Sequence, residues 1–258
     1  DLLLGHVLGL DRATILAFGE RAVTLEQAAE FSALLDRAAA GEPIAYLLGR
    51  RAFYDCDLIV TPDVLIPRPE TELLLEQALE YAHLFSARQV VDVGTGSGAL
   101  AVTFAAHYPK ATVYAVDICP RALDVARRNA EQCGVSKRVE LLEGDLLEPL
   151  LTRGLAADLV LANLPYIASD EVKALPVSRY EPTLALDGGP DGLDLIRRLL
   201  AQVSKLSPLP KVVLLEIGAD QGLAAADVAR TALAGAHVDL LHDYAGLDRI
   251  VRIKLQQT

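Results

Sequence analysis

The chain has 258 residues, 52% of them hydrophobic, and a formal net charge of -11. That length and composition build a sizeable core and exclude a disordered chain, while the acidic balance argues against a protein that grips nucleic acid chiefly through phosphates, though not against one that takes a small anionic ligand on backbone amides. Three cysteines with neither CxxC nor metal-like spacing argue against a disulfide framework and fit a reducing cytosol; five scattered histidines give no metal site, and no signal peptide or membrane-spanning apolar run is present.

Residues 1–50 read as a small helical domain. Leu2 to Phe18 is expected to form a helix or a pair of helices. Thr24-Leu25-Glu26-Gln27 has the spacing of a capping box, with Thr24 as N-cap and Gln27 reaching back. Apolar residues then recur at helical spacing through Leu25, Ala28, Ala29, Phe31, Leu34 and Leu35 until Gly41 ends the run. The sequence contains no Met, so its true start is expected to be missing, or its methionines replaced or dropped. Phe53 to Val60 suggests a hairpin with a polar tip around Asp55 and Asp57. Residues 51–66 are thus expected to link the helical part to a second domain spanning 67–258.

In Leu65-Ile66-Pro67-Arg68-Pro69-Glu70-Thr71-Glu72 two prolines bracket an arginine, which fixes the backbone and aims the side chain. Pro69 suits the first position of a helix, Glu70 and Glu72 suit its N-terminal dipole, and the helix is expected from Leu73 to about His83. The segment reads either as a well-capped helix start or as a rigid rim beside an active site.

From residue 89 strands alternate with helices. Strands are expected at 90–93, 112–116, 139–142, 158–162, 212–217, 237–241 and 250–255, with helices at about 99–106, 120–133, 191–204 and 222–233. This alternation predicts an α/β fold with a mostly parallel sheet covered on both faces. No internal repeat or low-complexity stretch interrupts it.

Two strand ends carry chemistry. Gly94-Thr95-Gly96-Ser97-Gly98 lies between a strand and a helix, and Asp117 ends the next strand about twenty residues on, where an acidic residue hydrogen-bonds ribose hydroxyls. A cofactor built on adenosine is expected. The spacing is G-x-G-x-G rather than the G-x-G-x-x-G of dinucleotide binders, which suits S-adenosylmethionine, since that molecule has no pyrophosphate to cradle. Asp145 would then accept from the adenine amino group while Leu146 packs on the ring. The other end is Asn163-Leu164-Pro165-Tyr166, which closes the apolar run Asp158 to Ala162. Pro165 stops the ladder and holds Leu164 extended, leaving a carboxamide, a carbonyl and an aromatic ring in one short loop.

Together these residues resemble class I S-adenosylmethionine-dependent methyltransferases and, more narrowly, the HemK/PrmC family, glutamine methyltransferases of peptide-chain release factors. Asp92-Val93-Gly94-Thr95-Gly96-Ser97-Gly98 is similar to the family's cofactor loop, and Asn163-Leu164-Pro165-Tyr166 to its Asn-Pro-Pro-Tyr motif. The segment from Leu65 to Glu72, and Tyr180-Glu181-Pro182-Thr183-Leu184-Ala185-Leu186 with Gly188-Gly189-Pro190-Asp191-Gly192, resemble its more specific signatures. The resemblance covers nearly the whole chain and implies a helical N-terminal domain, here shorter than usual, a hairpin linker, and a Rossmann-like seven-stranded sheet whose last strand is antiparallel. It also implies a cytoplasmic, monomeric enzyme with S-adenosylmethionine as methyl donor, S-adenosylhomocysteine as product and a release factor as substrate. The cofactor would be held by Gly94 to Gly98, Asp117, Asp145, Leu146 and Asn163. The substrate glutamine would meet Asn163 to Tyr166, Arg68 and Glu181. Leu164 stands where the family has its first proline. Asn-Leu-Pro-Tyr is also the form in ribosomal RNA adenine dimethyltransferases, so an adenine-N6 methyltransferase acting on RNA or DNA is the alternative, disfavoured by the flanking segments and the acidic charge.

Overall fold

The structure, a computed structural model, describes residues 1–17 and 19–256. Four helices open it: α1 (Leu2–Leu8), α2 (Arg12–Ala17), α3 (Leu25–Ala39) and α4 (Ile44–Leu48). Of the helix or pair of helices expected between Leu2 and Phe18, the structure has a pair, α1 and α2, and Phe18 itself lies outside the described residues. The capping box forms, with Gln27 N donating to Thr24 Oγ1 at 3.1 Å and Thr24 N to Gln27 Oε1 at 3.0 Å. The apolar spacing expected to mark a helix does so in α3. Only Leu34 of the helix is buried, against Leu3 and Leu47, while Leu25 is 91% exposed. Periodicity locates a helix, but a stripe is buried only where a partner covers it, and this small unit supplies one patch.

The strands β1 (Arg50–Phe53) and β2 (Cys56–Ile59) form the expected hairpin. Its turn is Tyr54-Asp55, so Asp57 sits in the ladder opposite Ala52 rather than at the tip. Helix α5 (Thr71–Phe85) starts two residues earlier than expected, with Glu70 as N-cap and Pro69 outside it. Then follow β3 (Gln89–Val93), α6 (Ala99–His107), β4 (Thr112–Asp117), α7 (Pro120–Gln132), β5 (Val139–Glu143), α8 (Glu148–Arg153), β6 (Leu159–Ala162), α9 (Ser169–Val172), α10 (Asp194–Val203), β7 (Val212–Glu216), α11 (Gly222–Ala232), β8 (His237–His242) and β9 (Asp248–Lys254). Helices α8 and α9 have six and four residues, too few to show a period in sequence.

The seven strands run in the order β5-β4-β3-β6-β7-β9-β8, parallel from β5 to β7, with β9 antiparallel to both of its neighbours. Because helices cover both faces, β6 and β7 are buried at every position and read as unbroken apolar runs. Alternate side chains feed two cores. Val90, Leu159, Leu161, Val212 and Leu214 pack with α5 and α6; Val91, Val93, Val160, Val213 and Leu215 pack with α10 and α11. Helix α6 is buried from Ala99 through Ala105, and it is accordingly apolar all round. The chain builds outward from β3 to β5, returns, and builds the other way from β6. The strand order therefore reverses between β3 and β6, and a crevice for a ligand opens beyond their carboxyl ends.

The N-terminal helices reach this crevice through the linker. Tyr46 Oη donates to Val64 O at 2.6 Å, and Tyr180 Oη to Ala40 O at 2.9 Å. Among the described residues no helix is long and apolar enough to cross a membrane.

Candidate active site

A cavity of about 290 Å³ lies at the reversal. Its floor is the loop after β3. Asp92, buried one position before the end of that strand, accepts from Thr95 Oγ1 at 2.6 Å and from Ala101 N at 3.1 Å, which ties the loop to the first turn of α6. Burial pushes the Asp92 carboxyl up to about 6; those two hydrogen bonds oppose the shift and the nearby Asp117 carboxylate adds to it. Gly94 and Gly96 have φ of 73° and 55°, a region that L side chains rarely adopt. A Cβ on Gly94 would stand 3.0 Å from Leu164 Cδ2, whereas a Cβ on Gly96 would meet nothing within 4 Å. The backbone at Gly96 thus faces open space along the cavity wall.

Asp117 ends β4 as expected. Its Oδ2 accepts from Gly96 N at 2.8 Å and its Oδ1 from Cys119 N at 2.9 Å. Burial raises its pKa, and those backbone N–H groups hold it back. Asp117 lines the cavity, and each carboxylate oxygen can accept a further hydrogen bond. Leu146 also lines the cavity, at a φ of 54°. Asp145 lies on the same wall, and one of its oxygens is taken up by an ion pair with Arg198.

The opposite wall is the tip of β6. Asn163, Leu164 and Pro165 all line the cavity, and Leu164 is nearly buried against the glycine loop. Leu164 lies past the last ladder pair of β6, so its carbonyl plays no part in the sheet. Asn163 Nδ2 donates to Thr71 Oγ1 at 3.0 Å, at the start of α5. Behind both lies Glu216, the last residue of β7 and 2% exposed. Burial pushes Glu216 up to about 7; hydrogen bonding from Thr71, the charge of Arg249 and hydrogen bonding from Asn163 pull it down, and Glu70 pushes it up.

Two expected substrate residues are placed differently. Arg68 reaches the wall, but Glu181 lies wholly buried behind it, bonding the guanidinium at 2.5 Å and accepting from Ile66 N at 3.4 Å. Glu181 therefore aims Arg68 rather than meeting a ligand. Tyr166 is not part of the cavity lining. Its carbonyl accepts from Gln221 Nε2 at 2.8 Å, and burial, with Glu216 nearby, raises its phenol pKa.

Sequence reasoning assigned no role to Thr71, Glu216 or Asn129. Asn129 of α7 is fully buried, accepts from Ile59 N at 2.7 Å, and donates to Ile59 O at 2.9 Å and Ser97 O at 2.8 Å, joining the linker hairpin to the glycine loop. The available signal for Glu216 was an acid closing the otherwise apolar run Val-Val-Leu-Leu-Glu. The segment from Tyr180 to Leu186 also supplies cavity wall, through Pro182, Leu184 and Ala185.

An open glycine backbone, an acidic strand end and apolar side chains on one wall fit an adenosine-based methyl donor. With the strand order, they define a class I S-adenosylmethionine-dependent methyltransferase. Solved structures of similar fold include the human Mettl16 catalytic domain in complex with the MAT2A 3'UTR hairpin 6 (TM-score 0.62, 14% identity, 78% of this chain and 76% of that one). Another is the ribosomal protein L11 methylase from Lactobacillus delbrueckii subsp. bulgaricus (TM-score 0.53, 20% identity, 77% and 84%). At that identity they establish the fold alone. Residues 90–177 match the pattern of a methyltransferase domain, and residues 1–49 that of the PrmC N-terminal domain. The chain is 46% identical to the release factor glutamine methyltransferase of Moorella thermoacetica over 96% of its own length and 88% of the relative's. It is 39% identical to that of Bacillus subtilis, over 97% and 88%. The chain belongs to the release factor glutamine methyltransferase family.

Proposed function

We propose that the protein methylates the side-chain amide nitrogen of a glutamine, in the Gly-Gly-Gln motif of a peptide-chain release factor, with S-adenosylmethionine as donor. The observation that carries this reading is the orientation of Asn163 on the cavity wall: its Nδ2 is turned back onto Thr71, which leaves Oδ1 free to accept, and the next residue, Leu164, also lines the cavity.

The donor supplies an electrophilic methyl group; Gly94 to Ser97, Asp117 and Leu146 would hold its nucleoside part. An amide nitrogen is a poor nucleophile because its lone pair is delocalised. Asn163 Oδ1 and Leu164 O would accept hydrogen bonds from the two N–H groups of the substrate amide, which fixes the nitrogen in the cavity and stabilises the positive charge that develops on it; as the methyl carbon passed from sulfur to nitrogen, S-adenosylhomocysteine would leave and one N–H proton would be lost to solvent. Placing both acceptors on one rigid strand tip removes much of the entropic cost of that alignment. Arg68, held by Glu181, forms a cationic rim at the mouth.

The test is methyl transfer from labelled S-adenosylmethionine with a release factor and a structured RNA offered side by side. Label in the release factor, lost when its Gly-Gly-Gln glutamine is replaced, is the expected outcome. Label in the RNA would instead assign the Asn-Leu-Pro-Tyr tip to adenine chemistry.

A further inference from the structure

A free carboxamide does not know which end to offer. For the proposed reaction Asn163 must present Oδ1 and keep Nδ2 away, since the substrate nitrogen is itself a donor. The tip of β6 alone does not impose that choice; the neighbouring elements do. Ala162 pairs with Leu215, so Asn163 and Glu216 stand side by side just past the end of the ladder. Thr71 bridges from α5, accepting from Asn163 Nδ2 at 3.0 Å. A hydroxyl that accepts from an amide has its own proton to give, and both Thr71 and Asn163 lie near enough to Glu216 to favour its ionised form. The carboxylate is buried, and its Oε2 has no hydrogen-bond partner among the described residues.

A buried acid costs the fold unless it is spent on something, and the sheet needs none at that position. We infer that Glu216 and Thr71 are positioning residues that set the direction of the Asn163 carboxamide: Nδ2 is held on the Thr71 hydroxyl, and the buried Glu216 side chain stands beside both. With Oδ1 turned inward instead, an amide oxygen would face a carboxylate and Nδ2 would no longer donate to Thr71; the negative charge disfavours that rotamer. This inference rests on the proposed function and deepens it. It also explains why a threonine sits between two glutamates in the Pro-Arg-Pro-Glu-Thr-Glu segment: Thr71 is 4% exposed and turned toward the site.

Other charges face Glu216 too. Arg249 of β9 favours its ionised form; Glu70, ahead of α5, disfavours it, and the Tyr166 phenol lies close by. The carboxyl therefore loses its proton only near neutral pH, and the orientation of Asn163 should tighten as it does.

Two readouts test this. In wild-type protein the Asn163 side-chain NH₂ resonances should titrate with Glu216, and the titration should vanish in Glu216→Gln, whose amide can bond to either end of Asn163. In the methyl-transfer assay Glu216→Gln and Thr71→Val should lose about ten- to a hundredfold in kcat with KM for S-adenosylmethionine unchanged, while Thr71→Ser stays near wild type. The variant Glu216→Gln should be no less stable than wild type, because it removes a buried carboxylate; a merely structural role would give lost stability together with lost activity. An Asn163 amide signal indifferent to Glu216, or a kcat for Glu216→Gln equal to wild type, overturns the inference. If the amide titrates as expected yet wild-type enzyme leaves the release factor unlabelled, the functional reading falls and the orienting hydrogen bonds stand.

Discussion

A methyl group added to Gly94 would stand 3.0 Å from Leu164 Cδ2, on a residue whose φ of 73° already disfavours a side chain. Leu164 occupies the place where the family has proline, and in this chain its side chain packs on the glycine loop. Gly94→Ala should thus cost about 1–3 kcal/mol of stability and weaken S-adenosylmethionine binding, because the loop must move away from the β6 tip. Adding Leu164→Ala should recover the steric part and leave the backbone part. Denaturant unfolding with calorimetric titration of the cofactor checks both; a Gly94→Ala variant that folds and binds like wild type would show that the loop has slack. Asn163→Ala acts on the other wall. It removes an acceptor that matters most as charge develops, so turnover should fall by about a hundredfold or more while cofactor affinity holds. A near-normal turnover would remove Asn163 from the chemistry.

At the scale of elements, one side chain links the linker hairpin to the cofactor loop. Asn129→Leu leaves Ile59 N and two carbonyls without their buried partner, at a cost of about 2–4 kcal/mol. Since Ser97 belongs to the loop, cofactor affinity should fall with stability, measured by the same two methods; unchanged affinity would mean that Asp92 and Asp117 hold the loop without Asn129. This coupling was not legible beforehand. Local signals in the sequence place the capping box at Thr24, the buried strands β3 to β7, the glycine loop and Asp117, because each depends on spacing within a few residues. Asn129 read as one polar residue in a helix, and Glu216 as the end of a strand, because their partners lie 70 residues away at Ile59 and, for Glu216, on other elements. The same limit explains Glu181: its segment was recognisable, but only the packed chain places it behind Arg68 instead of in the cavity.

At the scale of the whole molecule, the site makes the fold sensitive to pH in an unusual direction. Asp158, at the foot of β6, is pushed up by burial but held below the usual range by Arg88 N, Gln89 N and Lys211; the stability it contributes is present above its unfolded value and is lost as acid protonates it. Glu216 runs the other way. Its folded pKa of about 7 lies above the usual 4.5, so the folded chain holds that proton more tightly than the unfolded one. The stabilisation is complete below the unfolded value and disappears as pH rises through the folded one, a change on the order of 3 kcal/mol. Asp92, raised to about 6, adds a smaller term of the same sign. Ionised Glu216 is the form that orients Asn163, so the enzyme is expected to be most active where this carboxyl burdens the fold most, a trade common at functional sites. Glu216→Gln separates the two effects. Its stability relative to wild type should increase from about pH 5 to about pH 7 and level off above that, read by denaturant unfolding at each pH, while its kcat lacks the acid limb expected of wild type over the same range. A stability difference that stays constant across that range would mean that Glu216 titrates as an ordinary carboxylate, and that the cost of burying it is met by partners other than Thr71 and Asn163.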